Sequence, residues 1–289
     1  MGREDIIMLI AQITDIHIGF DPDAKPEELN RIRFRAVLDR LMKAPNQLEF
    51  LILSGDITDR GDEESFTKTA AMLAKRGFNL LPMVGNHDTR KELLRAFPDC
   101  PTEDGFVHYV VEREGLRIIC LDTLEEGRHG GAFCEARRDW LRRKLAESEL
   151  PCLIFMHHPP VVSGIDWMDP GPDEPWIANV AAGLEGFEDR VLAIHCGHLH
   201  RALNTSFCGI PLSVTPSVAP LVSLDFRDIS GEKPDARGLI TTESPTYALH
   251  RWDGKNLVTH YEEVSDWDYL AYYGPHLQPM IRELMGERD

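Results

Sequence analysis

Aspartate, histidine and asparagine gather in this chain in five short clusters, each directly behind an apolar run. They are Asp15-Ile16-His17, Gly55-Asp56-Ile57-Thr58-Asp59, Gly85-Asn86-His87-Asp88, Met156-His157-His158-Pro159-Pro160 and Cys196-Gly197-His198-Leu199-His200. Carboxylate, imidazole and amide oxygen in one set suit ions such as Mn²⁺, Zn²⁺ or Fe. An Asp-x-His or His-x-His spacing puts both flanking side chains on one strand face, because strand side chains alternate. One carboxylate can bridge two ions, and Asp56 is the residue expected to do so. Two ions about 3.5–4 Å apart clamp the attacking and leaving oxygens of a phosphoryl transfer. Gly55, Gly85 and Gly197 let the backbone turn sharply and come close to such a site.

Clusters of this kind act together only if the elements before them end at one place. Seven apolar runs read as strands: IIMLIAQITD, LEFLILSGD, FNLLPMVGN, VHYVVER, LRIICLD, CLIFMHH and RVLAIHCG. Runs such as LEFLILSG are apolar throughout, as in strands covered on both faces. Helical spacing appears between them. Phe34, Val37, Leu38, Leu41 and Met42 share one face, as do Phe66, Ala70, Leu73 and Ala74. Asp62 is placed as N-cap of the second of these helices and Gly77 as its stop. Thr89-Arg90-Lys91-Glu92 reads as a capping box ahead of Leu93, Leu94 and Phe97, and a further helix carries Trp140, Leu141 and Leu145. Ile165–Pro175, punctuated by Pro, Gly and Asp, reads as a loop. In open α/β sheets ligands bind beyond the carboxyl ends of the strands, so the five clusters are expected to converge.

After residue 200 the pattern changes. Ala202–Ser217 reads as two strands around Gly209-Ile210-Pro211, and Tyr247–Trp252 with Lys255–Tyr261 as a hairpin on Asp253-Gly254. Asp225–Thr242 reads as an exposed arm, and Trp267, Tyr269, Tyr272 and Tyr273 precede a charged terminal helix. The whole reads as one α/β domain with a β-rich second half and a C-terminal appendage.

Composition bounds the function. The 289 residues carry 31 Lys+Arg against 48 Asp+Glu, a formal charge of −17. That balance argues against long nucleic acids and anionic membranes, but not against a small anion held by local positive charge. The 43% hydrophobic share is that of a globular chain. The start, MGREDIIMLIAQITD, does not read as a signal peptide, and no apolar stretch is long enough to span a bilayer. Cys100, Cys120, Cys134, Cys152, Cys196 and Cys208 are too sparse for a disulfide framework, which points to a reducing, cytoplasmic setting.

Asp15-x-His17, Gly55-Asp56-x-x-Asp59, Gly85-Asn86-His87-Asp88, His157-x-Pro159 and Gly197-His198-x-His200 resemble the motifs of the calcineurin-like metallophosphoesterases, in the family's order and across residues 15–200. The contexts LSGDITDRG, PMVGNHD, FMHHPP and HCGHLHR look most like the bacterial class III cyclic-nucleotide phosphodiesterases and their relatives, the glycerophosphodiester hydrolases. Tyr273-Gly274-Pro275 is more weakly similar to the latter. The resemblance implies an α/β fold of the αββα type, a two-sheet sandwich flanked by helices, with a β-rich C-terminal extension. Residues 1–200 would form the catalytic core. Residues 201–289 would continue the second sheet and add hairpin, arm and helix, within the same domain or as a small cap or oligomerisation element.

The resemblance also implies roles. Asp15, His17, Asp56 and His200 would hold one metal ion; Asp56, Asn86, His157 and His198 would hold the other. The two ions would be divalent or trivalent Mn, Fe or Zn. His87 would be the catalytic histidine, protonating the leaving oxygen or holding a phosphate oxygen, with Asp88 orienting it. The His-x-Pro spacing selects His157 over His158 as ligand and leaves His158 to line the substrate pocket beside Asn86 and His87. Trp167 and Met168 either tuck a long loop onto the body or form a lid that puts Trp167 on the substrate. Asp59 is a turn residue or a supporting partner; His108, His129, His250, His260 and His276 carry no assigned role, and His195 is read as packing.

The function expected is hydrolysis of a small phosphodiester, a 3′,5′-cyclic nucleotide or a glycerophosphodiester, by in-line attack of a metal-bound hydroxide. The alternatives are a phosphomonoesterase with the same centre, a nuclease, and a non-catalytic scaffold. The charge disfavours the nuclease, and the complete motif set disfavours the scaffold. A homo-oligomer, a dimer or larger, is expected.

Overall fold

The computed structural model describes residues 7–171 and 173–287. Three parallel strands, β1 (Met8–Ile13), β2 (Phe50–Ser54) and β3 (Leu80–Met83), form one side of the first sheet. The antiparallel hairpin of β12 (Thr246–Trp252) and β13 (Leu257–Glu263) completes it, with β12 beside β1, in the order β13-β12-β1-β2-β3. The second sheet has the order β4-β5-β6-β7-β9-β8. Its parallel centre is β5 (Leu116–Leu121), β6 (Cys152–Met156), β7 (Val191–Cys196) and β9 (Ile210–Val214), and its antiparallel edges are β4 (Tyr109–Arg113) and β8 (Leu203–Phe207). A short pair, β10 (Leu221–Val222) and β11 (Ile240–Thr241), closes the base of the arm.

All seven expected strands before residue 200 form; all but the half-exposed edge strand β4 are apolar enough to be covered on both faces. In β5, Ile118 and Cys120 face the core shared with the first sheet. Ile119 and Leu121 point the other way, under Trp140, Leu141, Val180 and Leu184. These last belong to α4 (Glu135–Ala146) and α5 (Pro175–Leu184), the outer layer of the second sheet. Phe34, Val37, Leu38 and Leu41 of α1 (Leu29–Lys43), and Phe66 and Leu73 of α2 (Glu63–Ala74), join the core on the side of the first sheet, with Leu93 of α3 (Arg90–Ala96). Each such fully buried side chain contributes roughly 1.5–3 kcal/mol. The architecture is the expected sandwich flanked by helices.

Local expectations fare unevenly. Asp62 caps α2, accepting from Ser65 N at 2.9 Å, and Gly77 follows the helix at φ +66°. The capping box at Thr89 does not form. Its hydroxyl donates to Gly61 O at 2.8 Å instead, tying α3 to the loop after β2. The segment read as a loop ends one residue early, since Pro175 opens α5, a helix the sequence reading missed; Pro172 lies outside the described residues. The C-terminal hairpin extends the first sheet, whereas β8 and β9 extend the second. The six cysteines are unpaired, with Cys100, Cys120, Cys152 and Cys196 buried. No helix among the described residues is long and apolar enough to cross a membrane. The last helix, α6 (Gln278–Gly286), buries none of its residues.

Candidate metal and substrate site

The five clusters meet at the carboxyl ends of β1, β2, β3, β6 and β7, and by a route that strand pleating alone does not explain. Asp15 and His17 lie beyond the end of β1, and His198 and His200 beyond β7. All four are left-handed, at φ 53°, 51°, 71° and 56°, and Asp56 joins them at 47°. The expected shared strand face is therefore replaced by left-handed turns, which cost an L residue about 1–2 kcal/mol each. Neighbouring backbone holds them: Ile16 N and His17 N donate to Asp56 O at 2.8 and 3.0 Å, and Asp15 N donates to Gly55 O at 3.1 Å. Gly55 itself has φ +99°, and a Cβ there would stand 2.4 Å from His157 Nδ1. A Cβ on Gly85 would stand 2.2 Å from Asp56 Oδ1, so the loop after β3 approaches only because that residue has no side chain.

The side chains then converge on two carboxylates. Asp56 Oδ2 lies 3.3 Å from His157 Nε2 and 3.6 Å from His17 Nε2. Asp15 Oδ1 lies 3.5 Å from His200 Nε2 and 3.9 Å from His157 Nε2. His17 Nε2 and His200 Nε2 face each other at 3.2 Å. The far nitrogens of these rings are tied back: His157 Nδ1 to Ser54 O at 2.9 Å, His200 Nδ1 to Pro220 O at 2.9 Å, and His17 Nδ1 to Asp59 Oδ1 at 3.3 Å. A ring that donates from Nδ1 presents the lone pair of Nε2, as metal-binding imidazoles do. Asn86 Oδ1 is buried with no hydrogen-bond partner among the described residues, and His157 Nε2 faces only the carboxylates of Asp56 and Asp15, at 3.3 and 3.9 Å. Unpaired buried acceptors are costly unless something else meets them, so the donor set fits a pair of cations. The sets Asp15–His17–His200, Asp15–Asp56–His157, His17–Asp56–His87 and His157–His158–His198 each bring their ligand atoms within 4.8 Å of one another.

The electrostatics agree with crowding of this kind. Burial opposes charge on Asp56, but His157, His17 and His87 outweigh it and hold the carboxyl well below its usual range. Burial likewise opposes charge on His157, yet Asp56 and Asp15 raise the ring to about 9. Burial, with His157 beside it, pushes His198 down to about 3. His158 is also lowered by burial, then by His157 and His198. It forms part of the cleft wall, with Nδ1 2.8 Å from Thr123 Oγ1.

Two assignments change. Asp88 does not touch the His87 ring. Its carboxylate accepts from Gly85 N at 3.0 Å, Ile57 N at 3.1 Å, and Thr58 N and Oγ1 at 3.0 Å each. Buried amides facing inward recruit the nearest carboxylate, so Asp88 staples the loop after β3 to the loop after β2. Burial and Asp56 push Asp88 up to about 7. The His87 ring instead meets Asp59, whose carbonyl oxygen lies 2.8 Å from His87 Nδ1 while its carboxylate lies 3.3 Å from His17 Nδ1. His129, left without a role by the sequence, stands at the rim with Nδ1 3.4 Å from Asn86 Nδ2 and its ring 5.6 Å from that of His87. The signal was present: β5 is a sixth strand end, and the loop after it carries His129-Gly130-Gly131. His195 lies in the core, 2.8 Å from Ser213 Oγ.

His17, Asp56, Asn86, His87, His198 and His200 floor a cleft of about 450 Å³. Trp167, Met168, Trp176, Val222 and Ile240 form its apolar wall. Among the described residues no Lys or Arg lines the cleft.

Comparison with known proteins agrees with this geometry. Residues 8–202 match the family described as calcineurin-like phosphoesterase. A probable cyclic nucleotide phosphodiesterase of Rhodopseudomonas palustris is 31% identical over 79% of this chain and 82% of its own length. A probable glycerophosphodiester phosphodiesterase of Arcobacter nitrofigilis is 30% identical over 90% of this chain and 95% of its own. The purple acid phosphatase of yellow lupin seeds, Lupinus luteus, shares the fold at a TM-score of 0.62 and 12% identity, covering 92% of this chain. The chain spans about half, 53%, of that phosphatase's length.

Proposed function

Since the chain belongs to the calcineurin-like phosphoesterase family, we propose that it is a metal-dependent hydrolase of small phosphodiesters. Cyclic nucleotides and glycerophosphodiesters, the substrates in the names of the two bacterial relatives, are the classes to compare. The observation that carries the choice of diester is the make-up of the cleft. Its polar floor is histidine, Asp56 and Asn86, and among the described residues it has no Lys or Arg. A monoester dianion asks for additional fixed cations, whereas a diester carries one negative charge and an organic group on each side. The apolar wall of Trp167, Met168, Val222 and Ile240 suits the second organic group.

Asp15, His17, Asp56 and His200 would hold one metal ion, and Asp56, Asn86, His157 and His198 the other; Mn, Fe and Zn all suit these donors. Held there, such ions would offset the charge of the diester and would lower the pKa of a bound water from ~15.7 to about 7. The remaining work falls to side chains. His87, tied through Nδ1 to Asp59 O, keeps Nε2 for holding a phosphate oxygen or giving a proton to the leaving oxygen. Asn86 and His129 stand beside it to orient the phosphate. Asp88 and Asp59 keep the loops in register. Four buried, unpaired thiols support a reducing compartment, and we place the protein in the cytoplasm.

The test is a comparison of bis-p-nitrophenyl phosphate with p-nitrophenyl phosphate on Mn²⁺-loaded protein, followed by cyclic AMP, cyclic GMP, 2′,3′-cyclic nucleotides and glycerophosphodiesters. The diester is expected to show a kcat/KM at least about tenfold above the monoester. Monoester turnover above diester turnover overturns the proposal.

A further inference from the structure

The candidate ligands come from two different sheets. Asp15, His17, Asp56 and Asn86 follow strands of the first sheet; His157, His198 and His200 follow strands of the second. Whether all seven reach one pair of ions depends on the spacing and relative height of the sheets just beneath them. The interior between the sheets is mostly apolar, and apolar contact is not directional. A buried polar cluster interrupts it at that level, with Gln12 at its centre.

Gln12 lies on β1, three residues before Asp15, and is fully buried. Its Nε2 donates to Ser54 Oγ on β2 at 2.8 Å and to Cys196 O on β7 at 3.1 Å. Its Oε1 accepts from Thr215 Oγ1, just past β9, at 2.8 Å. It also accepts from His250 Nε2, on β12, at 3.2 Å. The amide thus meets two donors and two acceptors, from both sheets. Because Oε1 can only accept, His250 carries its proton on Nε2, and its Nδ1 receives the hydroxyl of Thr259 at 2.9 Å. The two residues that Gln12 grips from β2 and β7 stand two positions before Asp56 and His198. Ser54 is also the residue whose carbonyl takes His157 Nδ1. Thr215 N donates to Cys196 O at 3.0 Å, which joins β9 to the same point.

We propose that Gln12 is a positioning residue that fixes the two sheets against each other beneath the site, so that ligands of both reach the same two metal ions. It touches neither substrate nor ligand atoms and acts through Ser54, Cys196, Thr215 and His250. The inference rests on the metal-site reading above. Metal–ligand distances tolerate only about 0.2 Å, so a small slip between the sheets would separate ligands that each half still presents correctly. The bound pair, which needs both halves at once, is what Gln12 governs.

The experiment compares wild type, Gln12→Met and Thr215→Val as full chains stripped of metal, titrated with Mn²⁺ by calorimetry and followed by electron paramagnetic resonance. Methionine keeps the length of the side chain and removes every hydrogen bond. Wild type is expected to take up two Mn²⁺ and show an exchange-coupled spectrum. Gln12→Met, with native circular dichroism, is expected to bind the second Mn²⁺ at least tenfold more weakly and to lose the coupled signal. Thr215→Val removes one of the four hydrogen bonds and is expected to lose affinity in the same direction by less. Unchanged two-site affinity and coupling in Gln12→Met overturn the proposal. If Gln12→Met does not fold, wild-type affinity and coupling in Thr215→Val overturn it. A wild type that takes up fewer than two Mn²⁺ overturns the metal-site reading instead.

Discussion

His157 carries the sharpest consequence at the scale of a single residue. Its ring is buried, which alone would keep it neutral, yet the carboxylates of Asp56 and Asp15 raise it to about 9. In metal-free protein the proton is therefore retained up to that pH, whereas an ordinary histidine releases it near 6.5. A cation that binds Nε2 must displace that proton. Apparent Mn²⁺ affinity is expected to rise about tenfold per pH unit between pH 7 and 9, with proton release visible by calorimetry in buffers of different ionisation enthalpy. Affinity that stays flat over that interval would contradict the assignment of His157. The linkage to folding has the opposite sense. A histidine raised on folding stabilises the metal-free fold fully below about 6.5, and that contribution is lost as pH rises through about 9.

The loop that carries Trp167 is the element whose role the structure sharpens. Asp169 accepts from Ser163 N at 2.7 Å and from Gly164 N at 2.8 Å, closing the loop on itself. Asp166 accepts from Ile229 N at 2.8 Å, so the arm after β10 supports it. With the loop tied at both places, we expect it to act as a wall of the cleft rather than a moving lid. Trp167→Ala removes about half of an aromatic contact, roughly 1 kcal/mol, and is expected to raise KM for a diester about fivefold with kcat within about twofold. Steady-state kinetics with both constants unchanged would remove Trp167 from the substrate site. The same region shows where sequence reading runs out. Strands such as β2 and β5 were legible because continuous burial writes continuous apolar runs, and the metal-ligand types stood behind those runs. Helix α5 was hidden because Pro175, at a first-turn position, looks like a loop residue. The partners of Asp88 and the left-handed turns at Asp15 and His198 depend on which strand ends become neighbours, and spacing along one chain does not carry that. The pairing of β12 with β1 is hidden for the same reason, and with it the contact of His250 with Gln12.

At the scale of the whole molecule, one stretch combines exposed apolar side chains with an absence of charged residues. The net charge is −17, which keeps two copies apart wherever acidic surface meets acidic surface. Tyr269–Ile281 contains no Asp, Glu, Lys or Arg. In that stretch Tyr269, Tyr272 and Tyr273 are exposed and Leu270 is fully so, with Trp267 just before it and Met280 and Leu284 on the helix behind. An apolar surface of this extent is unusual on a chain that stays single, and the absence of like charge there makes it the face on which two copies can approach. We expect a homodimer or larger assembly joined through this tail. Sedimentation velocity of the full chain should give a species of at least twice the monomer mass, and Leu270→Asp with Tyr272→Asp should shift it to the monomer while metal content stays unchanged. A wild-type chain that sediments as a monomer at tens of micromolar removes the tail as a self-contact, and an assembly that survives both substitutions moves the contact elsewhere on the molecule.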